Sequence, residues 1–309
     1  MKILITGGAG YIGTSLVKNL IKEKQISGIT IYDNFSRKNY GLLLSNIYQK
    51  YNNKITVIKG DILDNQNLKK AMKSVDVLIH LAAKVTTPFA NIDHHQYDQI
   101  NHWGSTQVAN ICSEFPDIKI IYSSSASVYG HTKIPKGENA VIKPDCHYGI
   151  SKYKAEKQFK AYCPKSNLTV LRIANVYGIN ESVRLDSVIN KFLFEATSTN
   201  LINIDGNGNQ IRPIIHVSTI AKVINNIIKN NLFGETFNLF AENISINKIA
   251  EHFTKSYKDL EVIYINQDQD FHSLILQEPR SIDKKTGMNL TTYNIKNLLT
   301  DGFSIVDDI

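Results

Sequence analysis

The run Lys2-Ile3-Leu4-Ile5-Thr6-Gly7-Gly8-Ala9-Gly10-Tyr11-Ile12-Gly13 decides the fold. Lys2 to Ile5 reads as a buried strand that breaks at glycine, and a helix is expected from Tyr11 to Lys22. Gly7, Gly10 and Gly13 stand in the spacing GxxGxxG. They permit a tight turn, close backbone approach to a pyrophosphate, and tight packing of helix on strand. The helix N-terminus then presents free N–H groups and a positive dipole end to phosphate. A second strand, Ile29 to Tyr32, ends at Asp33, followed by Asn34. A dinucleotide fold needs a carboxylate about 20 residues beyond the glycines, to accept hydrogen bonds from the adenosine ribose. That carboxylate repels a 2′-phosphate, so the expected cofactor is NAD rather than NADP. Arg37 and Lys38 just beyond are the opposing signal, being cations that suit a phosphate.

Working outward, apolar runs alternate with helical patterns: strands over Ile55–Lys59, Val75–Leu81, Ile118–Ser123 and Leu168–Ala174, helices over Tyr97–Glu114 and Tyr148–Tyr162. This alternation predicts an α/β fold with a Rossmann-type doubly wound parallel sheet, its ligands at the carboxyl ends of the strands. After Gly178 the rhythm changes. A helix over Arg184–Thr197, a short strand Ile202–Ile204 and a turn over Asp205–Asn209 are expected. The helix Val217–Lys229 and strand Thr236–Leu239 follow, then a small mixed unit from Asn243 to Ile309. The expected division is a dinucleotide-binding domain over 1–178, with 214–240 returning to it. Residues 179–213 and 241–309 then make a smaller, interleaved α/β substrate domain.

The chain has 309 residues, 42% of them hydrophobic, enough for a full core. No apolar run approaches the roughly 18 residues of a membrane span, and Met1-Lys2 leads straight into a strand with no signal-peptide core. Cys112, Cys146 and Cys163 have neither paired nor metal-ligand spacing, so no metal site and a reduced cytoplasm are expected. Cys146 reads as a loop residue. The net charge of +7 is spread over scattered lysines with no nucleic-acid motif. It reads as a positive surface that draws in a phosphorylated substrate.

Tyr148-Gly149-Ile150-Ser151-Lys152 carries the chemistry. Residues four apart share a helix face, so phenol and ammonium point into one cleft. A phenol titrates near ~10, too high for a base at neutral pH. A nearby ammonium and a cationic nicotinamide favour the phenolate, and a hydroxyl from Ser123-Ser124-Ser125 can hold a substrate oxygen beside it. These are the parts needed to take a proton from an alcohol while a cofactor takes the hydride.

Taken together, Thr6 to Gly13, Gly60-Asp61-Ile62, His80-Leu81-Ala82-Ala83, Asn101, Ser123 to Gly130, Tyr148 to Lys152 and Leu171 to Gly178 resemble an extended short-chain dehydrogenase/reductase. The resemblance is to the nucleotide-sugar epimerase/dehydratase family and spans nearly the whole chain. It implies that Gly7, Gly10, Tyr11, Ile12, Gly13, Asp33 and Asn34 line the NAD site. Asp61 and Ile62 would flank adenine, and Leu81, Ala82, Ala83 and Lys84 the rest of the nucleotide. Asn101 would support Lys152, Ser123 would line the nicotinamide pocket, and Ser125, Tyr148 and Lys152 would be catalytic. Asn175 resembles the asparagine that contacts the sugar nucleotide, and Arg212 the arginine that grips its diphosphate. Arg184 and Arg280 are further candidates for that polyanion; the alternative for each arginine is an ion pair. His216 reads as a packed core histidine.

Departures from the family narrow the reaction. Ala126-Ser127 replaces the Asp-Glu pair with which family dehydratases remove a C6 hydroxyl, which disfavours a 4,6-dehydratase. Ser218-Thr219 replaces the paired aspartates after His216-Val217, and the segment around Gly287 lacks the usual Trp and Pro. The expected function is NAD-dependent oxidation of a nucleotide-diphosphate sugar at C4, as a 4-epimerase. The alternative is a net C4 dehydrogenase giving a 4-keto sugar, for example from a GDP-heptose in capsule or lipopolysaccharide synthesis. A non-catalytic dinucleotide sensor is the minor alternative. The resemblance also implies a homodimer through a four-helix interface around 97–114 and 148–162, with Ile100, Trp103, Val108 and Ile111 contributing; a buried core face is the alternative for most of them.

Overall fold

The computed structural model describes residues 1–85, 94–266, 271–278 and 280–301. Residues 302–309 of the expected tail unit lie outside the described residues. Twelve strands are described, β1 (Lys2–Thr6), β2 (Gly28–Asp33), β3 (Ile55–Lys59), β4 (Val77–His80), β5 (Lys119–Ser125), β6 (Leu168–Ile173), β7 (Asn175–Tyr177), β8 (Leu201–Asp205), β9 (Ile211–His216), β10 (Thr236–Leu239), β11 (Glu242–Ser245) and β12 (Glu261–Ile265). The longer helices are α1 (Tyr11–Leu20), α2 (Ser105–Ser113), α3 (His147–Tyr162), α4 (Val188–Ser198), α5 (Val217–Lys229) and α6 (Ile246–Ser256).

Seven strands form one sheet in the order β10-β6-β5-β4-β1-β2-β3, and every pairing in it is parallel. The chain starts in the middle of the sheet and winds outward to each side. The carboxyl ends of β1 and β4 therefore sit together at the point where the strand order reverses, the place where such folds bind ligands. Burial explains the sequence pattern: β4 and β6 are buried at every position, so they read as continuous apolar runs rather than alternating ones. Arg172 is the charged exception in β6 and is 2% exposed.

Both faces are covered by helices. On one, α1 and α5 lie together, their Leu16, Val17 and Leu20 joining Ile220, Val223, Ile224 and Ile227 in a single core with β1, β2 and β10. On the other, Val108 and Ile111 of α2 and Ala155 and Phe159 of α3 pack with Tyr122 of β5. Two smaller sheets, β11-β9-β7 and β12-β8, pack with α4 and α6 around a third core that includes Ile189, Phe192, Ile202, Ile204, Ile249 and Phe253. Thr236–Leu239 returns to the main sheet as its edge strand beside β6.

Two expectations change in detail. The helix expected over Tyr97–Glu114 is not uniform: Asp98–Gly104 is a π-helical stretch between His94–Tyr97 and α2. Its widened turn brings Asn101, fully buried, inside, and such insertions mark functional helices. The helix expected from Arg184 starts only at Val188, because Arg184 and Asp186 are held by each other instead. Cys112 and Cys163 are far apart in sequence, yet both join one core, where the Cys163 thiol donates to the Ala109 carbonyl of α2 at 3.8 Å. Among the described residues no helix is long and apolar enough to cross a membrane.

Candidate active site

A cleft of about 970 Å³ runs along the carboxyl ends of β1, β2, β4, β5 and β6 and continues under β7, α4, β8 and β9. Its floor is the glycine turn. Gly7 has φ +72°, and a Cβ there would lie 2.7 Å from the Ala82 backbone nitrogen. A Cβ on Gly13 would lie 2.5 Å from the Gly8 carbonyl, so α1 can seat this close to the turn only with glycine at that position. No acidic side chain occupies the first turn of α1, leaving its positive end open to an anion. Tyr11 lines the cleft, and its hydroxyl donates to the Gly178 carbonyl at 2.5 Å and accepts from Asn190.

Asp33 closes this end. Its carboxylate accepts from the Ala9 N–H at 3.0 Å and the Phe35 N–H at 2.9 Å, and burial pushes its pKa up while those two N–H groups pull it down. Asn34 donates to Asp61 at 3.0 Å, and Asp61 and Ile62 line the same wall. Leu81, Ala82, Ala83 and Lys84 line it as the chain leaves β4. Arg37 lines this part of the cleft too. The glycine cradle, the open helix terminus and the carboxylate are the donor and acceptor set a dinucleotide requires.

At the other end Ser123 and Ser125 leave β5 and meet α3. Tyr148 is 7% exposed and Lys152 is 2% exposed, one helical turn apart. Burial pushes the Tyr148 phenol up in pKa, offset by the neighbouring Ser125 hydroxyl and by the Arg184 guanidinium. The Ser125 hydroxyl also accepts from the Ser127 N–H at 3.1 Å, which fixes its position. Lys152 lies over the Tyr122 ring, 4.7 Å from its centroid. Burial lowers its pKa to about 7, with the Glu156 carboxylate opposing. His80, fully buried between Thr6 and Ser105, is pushed down to about 3 by burial and by Lys152, and is therefore neutral.

Asn101 is fully buried. It accepts from the Lys84 N–H at 2.7 Å and donates to the Lys84 carbonyl at 2.9 Å and the Ser151 hydroxyl at 3.2 Å. It thereby ties the Lys84 loop to the residue beside Lys152. Asn175 lines the cleft and donates to the Pro213 carbonyl at 3.0 Å. Arg212 also lines it, donating to the carbonyls of Ile211 and His272. Arg184 lines the cleft close enough to act on the Tyr148 phenol, while paired with Asp186 at 2.7 Å. Arg280 is not brought to the cleft: it pairs with Asp283, donates to the Ala241 carbonyl and covers the Phe240 ring. His216, 6% exposed, stacks on Tyr293 with ring centroids 3.8 Å apart, as the packed reading expects. His131, Asp145, Lys191, Asn203 and Gln210 also line the cleft and carry no motif in the sequence: Lys191 stands on α4, Asn203 on β8, and the others in loops.

The match to known proteins covers the same ground. The profile of the NAD dependent epimerase/dehydratase family matches residues 3–239. A Bacillus subtilis (strain 168) protein described as an uncharacterized UDP-glucose epimerase, YtcB, is 31% identical over 257 residues, 81% of this chain and 80% of its own. A putative UDP-glucose 4-epimerase of Methanocaldococcus jannaschii is 31% identical over the same shares. A dTDP-D-glucose 4,6-dehydratase of Dictyostelium discoideum is 27% identical, covering 77% of this chain and 58% of its own. Among solved structures, the UDP-glucuronic acid 4-epimerase of Bacillus cereus, in complex with UDP-glucuronic acid and NAD, superimposes with a TM-score of 0.86 over 99% of both chains at 23% identity. With residues 3–239 matched by the family profile and a relative above 30% identity over four fifths of its length, this chain belongs to the NAD dependent epimerase/dehydratase family.

Proposed function

We propose that the protein is a nucleotide-sugar 4-epimerase that holds NAD in the glycine-turn half of the cleft and the nucleotide sugar in the other. One observation carries the reading: Ser125, Tyr148 and Lys152 line one cleft, with the Lys152 amine buried one helical turn from Tyr148. Gly7, Gly10 and Gly13 hold the pyrophosphate against α1, and Asp33 accepts from the adenosine ribose. Asn34, Asp61, Ile62 and Leu81 to Lys84 line the remainder. When bound, NAD supplies the acceptor for the carbinol hydride and gives it back.

The residues of the chain do the proton chemistry. Ser125 orients the C4 hydroxyl towards Tyr148, and Tyr148 takes its proton. Burial makes that phenol a weak acid, so it acts as a base only when positive charge gathers beside it, from charged Lys152 and from the cofactor. Arg212 and Asn175 hold the diphosphate end. Protonation of the returning C4 alkoxide by Tyr148 restores the site. Removal of water across C5 and C6 requires a positioned acid and base, and Ala126 and Ser127 are neither. This separates the reading from that of the dehydratase relatives.

The experiment is incubation with a panel of UDP-, GDP-, dTDP- and CDP-sugars, GDP-heptose included, with NMR of the products and absorbance at 340 nm. A mixture of C4 epimers without lasting NADH is expected. A 4-keto product formed together with NADH would make the enzyme a net C4 dehydrogenase. Asp33→Asn should lower NAD affinity about tenfold and narrow the preference over NADP, since it removes a charged acceptor from the ribose while Arg37 remains; calorimetric titration with both dinucleotides checks it. Trp103, 54% exposed on the π-helical stretch, is our candidate for contact between subunits of a homodimer; sedimentation of a clean monomer would sink that part. Val108 and Ile111, by contrast, belong to the core.

A further inference from the structure

Tyr148, Lys152 and Glu156 follow one another at four-residue intervals along one face of α3, and Glu156, like its neighbours, is buried: its exposure is 0%. A carboxylate so placed must be fully compensated. Arg172 of β6 donates Nε to Oε1 at 3.1 Å and Nη2 to Oε2 at 2.9 Å, and the Ser124 hydroxyl donates to Oε1 at 2.5 Å. Arg172 is anchored behind by the Tyr129 hydroxyl at 2.7 Å and the Glu138 carbonyl at 2.9 Å, and Tyr129 donates to Asn238 of β10 at 2.7 Å. The ion pair has a direction. Its carboxylate end lies on the helix one turn from Lys152, and its guanidinium end lies on the strand. Ser124 stands between Ser123 and Ser125, so the same carboxylate also fixes the strand end that carries the proposed substrate-orienting hydroxyl.

We propose that Glu156 is a positioning residue: through Lys152 it keeps positive charge beside Tyr148, and through Ser124 it holds Ser125 in register with the phenol. The proposal rests on the epimerase reading for what Tyr148 does, but its electrostatic part concerns this chain alone. Tyr148 and Glu156 stand one helical turn to either side of Lys152 on α3, with Tyr148 and Lys152 lining the same cleft, and Tyr122 from β5, His80 from β4 and Glu156 act on the amine. Those that face Tyr148 are Ser125, Cys146 and Arg184, with Tyr97 edge-on at 6.1 Å. Of these groups, Glu156 is the acid that raises Lys152. The sign follows. Without the carboxylate the amine loses its proton at lower pH, the phenolate loses a neighbouring cation, and Tyr148 titrates at higher pH.

The test uses E156Q and the double variant E156Q/R172M, both with NAD bound. The double variant removes both charges and so leaves no unpaired buried ion. Tyr148 is titrated by tyrosinate absorbance near 295 nm as the difference from Y148F in the same background, and the pH profile of kcat/KM is measured where turnover exists. Both variants should move the Tyr148 titration and the acid limb up by about one pH unit, about tenfold in rate at neutral pH; Glu156→Asp should restore most of the shift. A double variant that folds and titrates as the wild type overturns the proposal, as does failure of both variants to fold, which would make the carboxylate structural. A shifted titration in a protein that turns over no nucleotide sugar would uphold the role of Glu156 and sink the epimerase reading instead.

Discussion

Tyr148→Phe is expected to lower kcat roughly a thousandfold, the middle of the range for a positioned general acid–base, while leaving NAD affinity within about twofold. The change deletes one oxygen from a residue that is 7% exposed and keeps the ring packed edge-on against Tyr97, so the fold should hold. The lost oxygen lies beside the Ser125 hydroxyl and in the field of Arg184. None of the glycine-turn or Asp33 contacts depends on it. Single-turnover reduction of bound NAD by the active sugar, followed at 340 nm, measures the first half of the claim, and calorimetric titration with NAD the second. A variant that loses NAD binding along with turnover would place the role of Tyr148 in the cofactor site rather than in the chemistry.

The second large effect is on stability. Arg172→Met should cost about 3–5 kcal/mol, because it strands the Glu156 carboxylate in a site with no exposure. Ser124 would remain as a donor, and Lys160, 3.7 Å away and half exposed, would compensate little. The cost extends beyond one pair, since Tyr129 and the Glu138 carbonyl lose the same guanidinium. Urea denaturation of wild type, R172M and E156Q/R172M measures it. The double variant should recover most of the loss, because a buried ion pair replaced as a unit by uncharged groups is near neutral. Equal destabilisation of single and double variants would mean that packing, rather than an uncompensated charge, sets the cost.

Much of the first half was legible in the sequence because its signals are local. The apolar runs of β1 and β6 begin and end where expected to within a residue, since strands buried on both faces need unbroken apolar chemistry. The glycine spacing announces a turn only glycine can make, and Tyr148 and Lys152 share a face by helical period alone. Asp33 followed from a fixed offset. Helix α5 and strand β10 were found at their bounds for the same reason, a strong period with clear ends.

The order of elements, the dinucleotide turn and the shared helix face of phenol and amine are all set by backbone sterics and side-chain periodicity within short segments. Which distant groups meet depends on the packed fold. It turned Asn101 inward on a π-helical stretch, brought Arg184 to Tyr148 and took Arg280 away from the cleft. It joined Glu156 to Arg172 across the α3–β6 packing, and assembled β7, β9 and β11 from remote segments. Those contacts are long-range and electrostatic: the energy of a buried charge depends on what the fold places around it, and no local pattern encodes that.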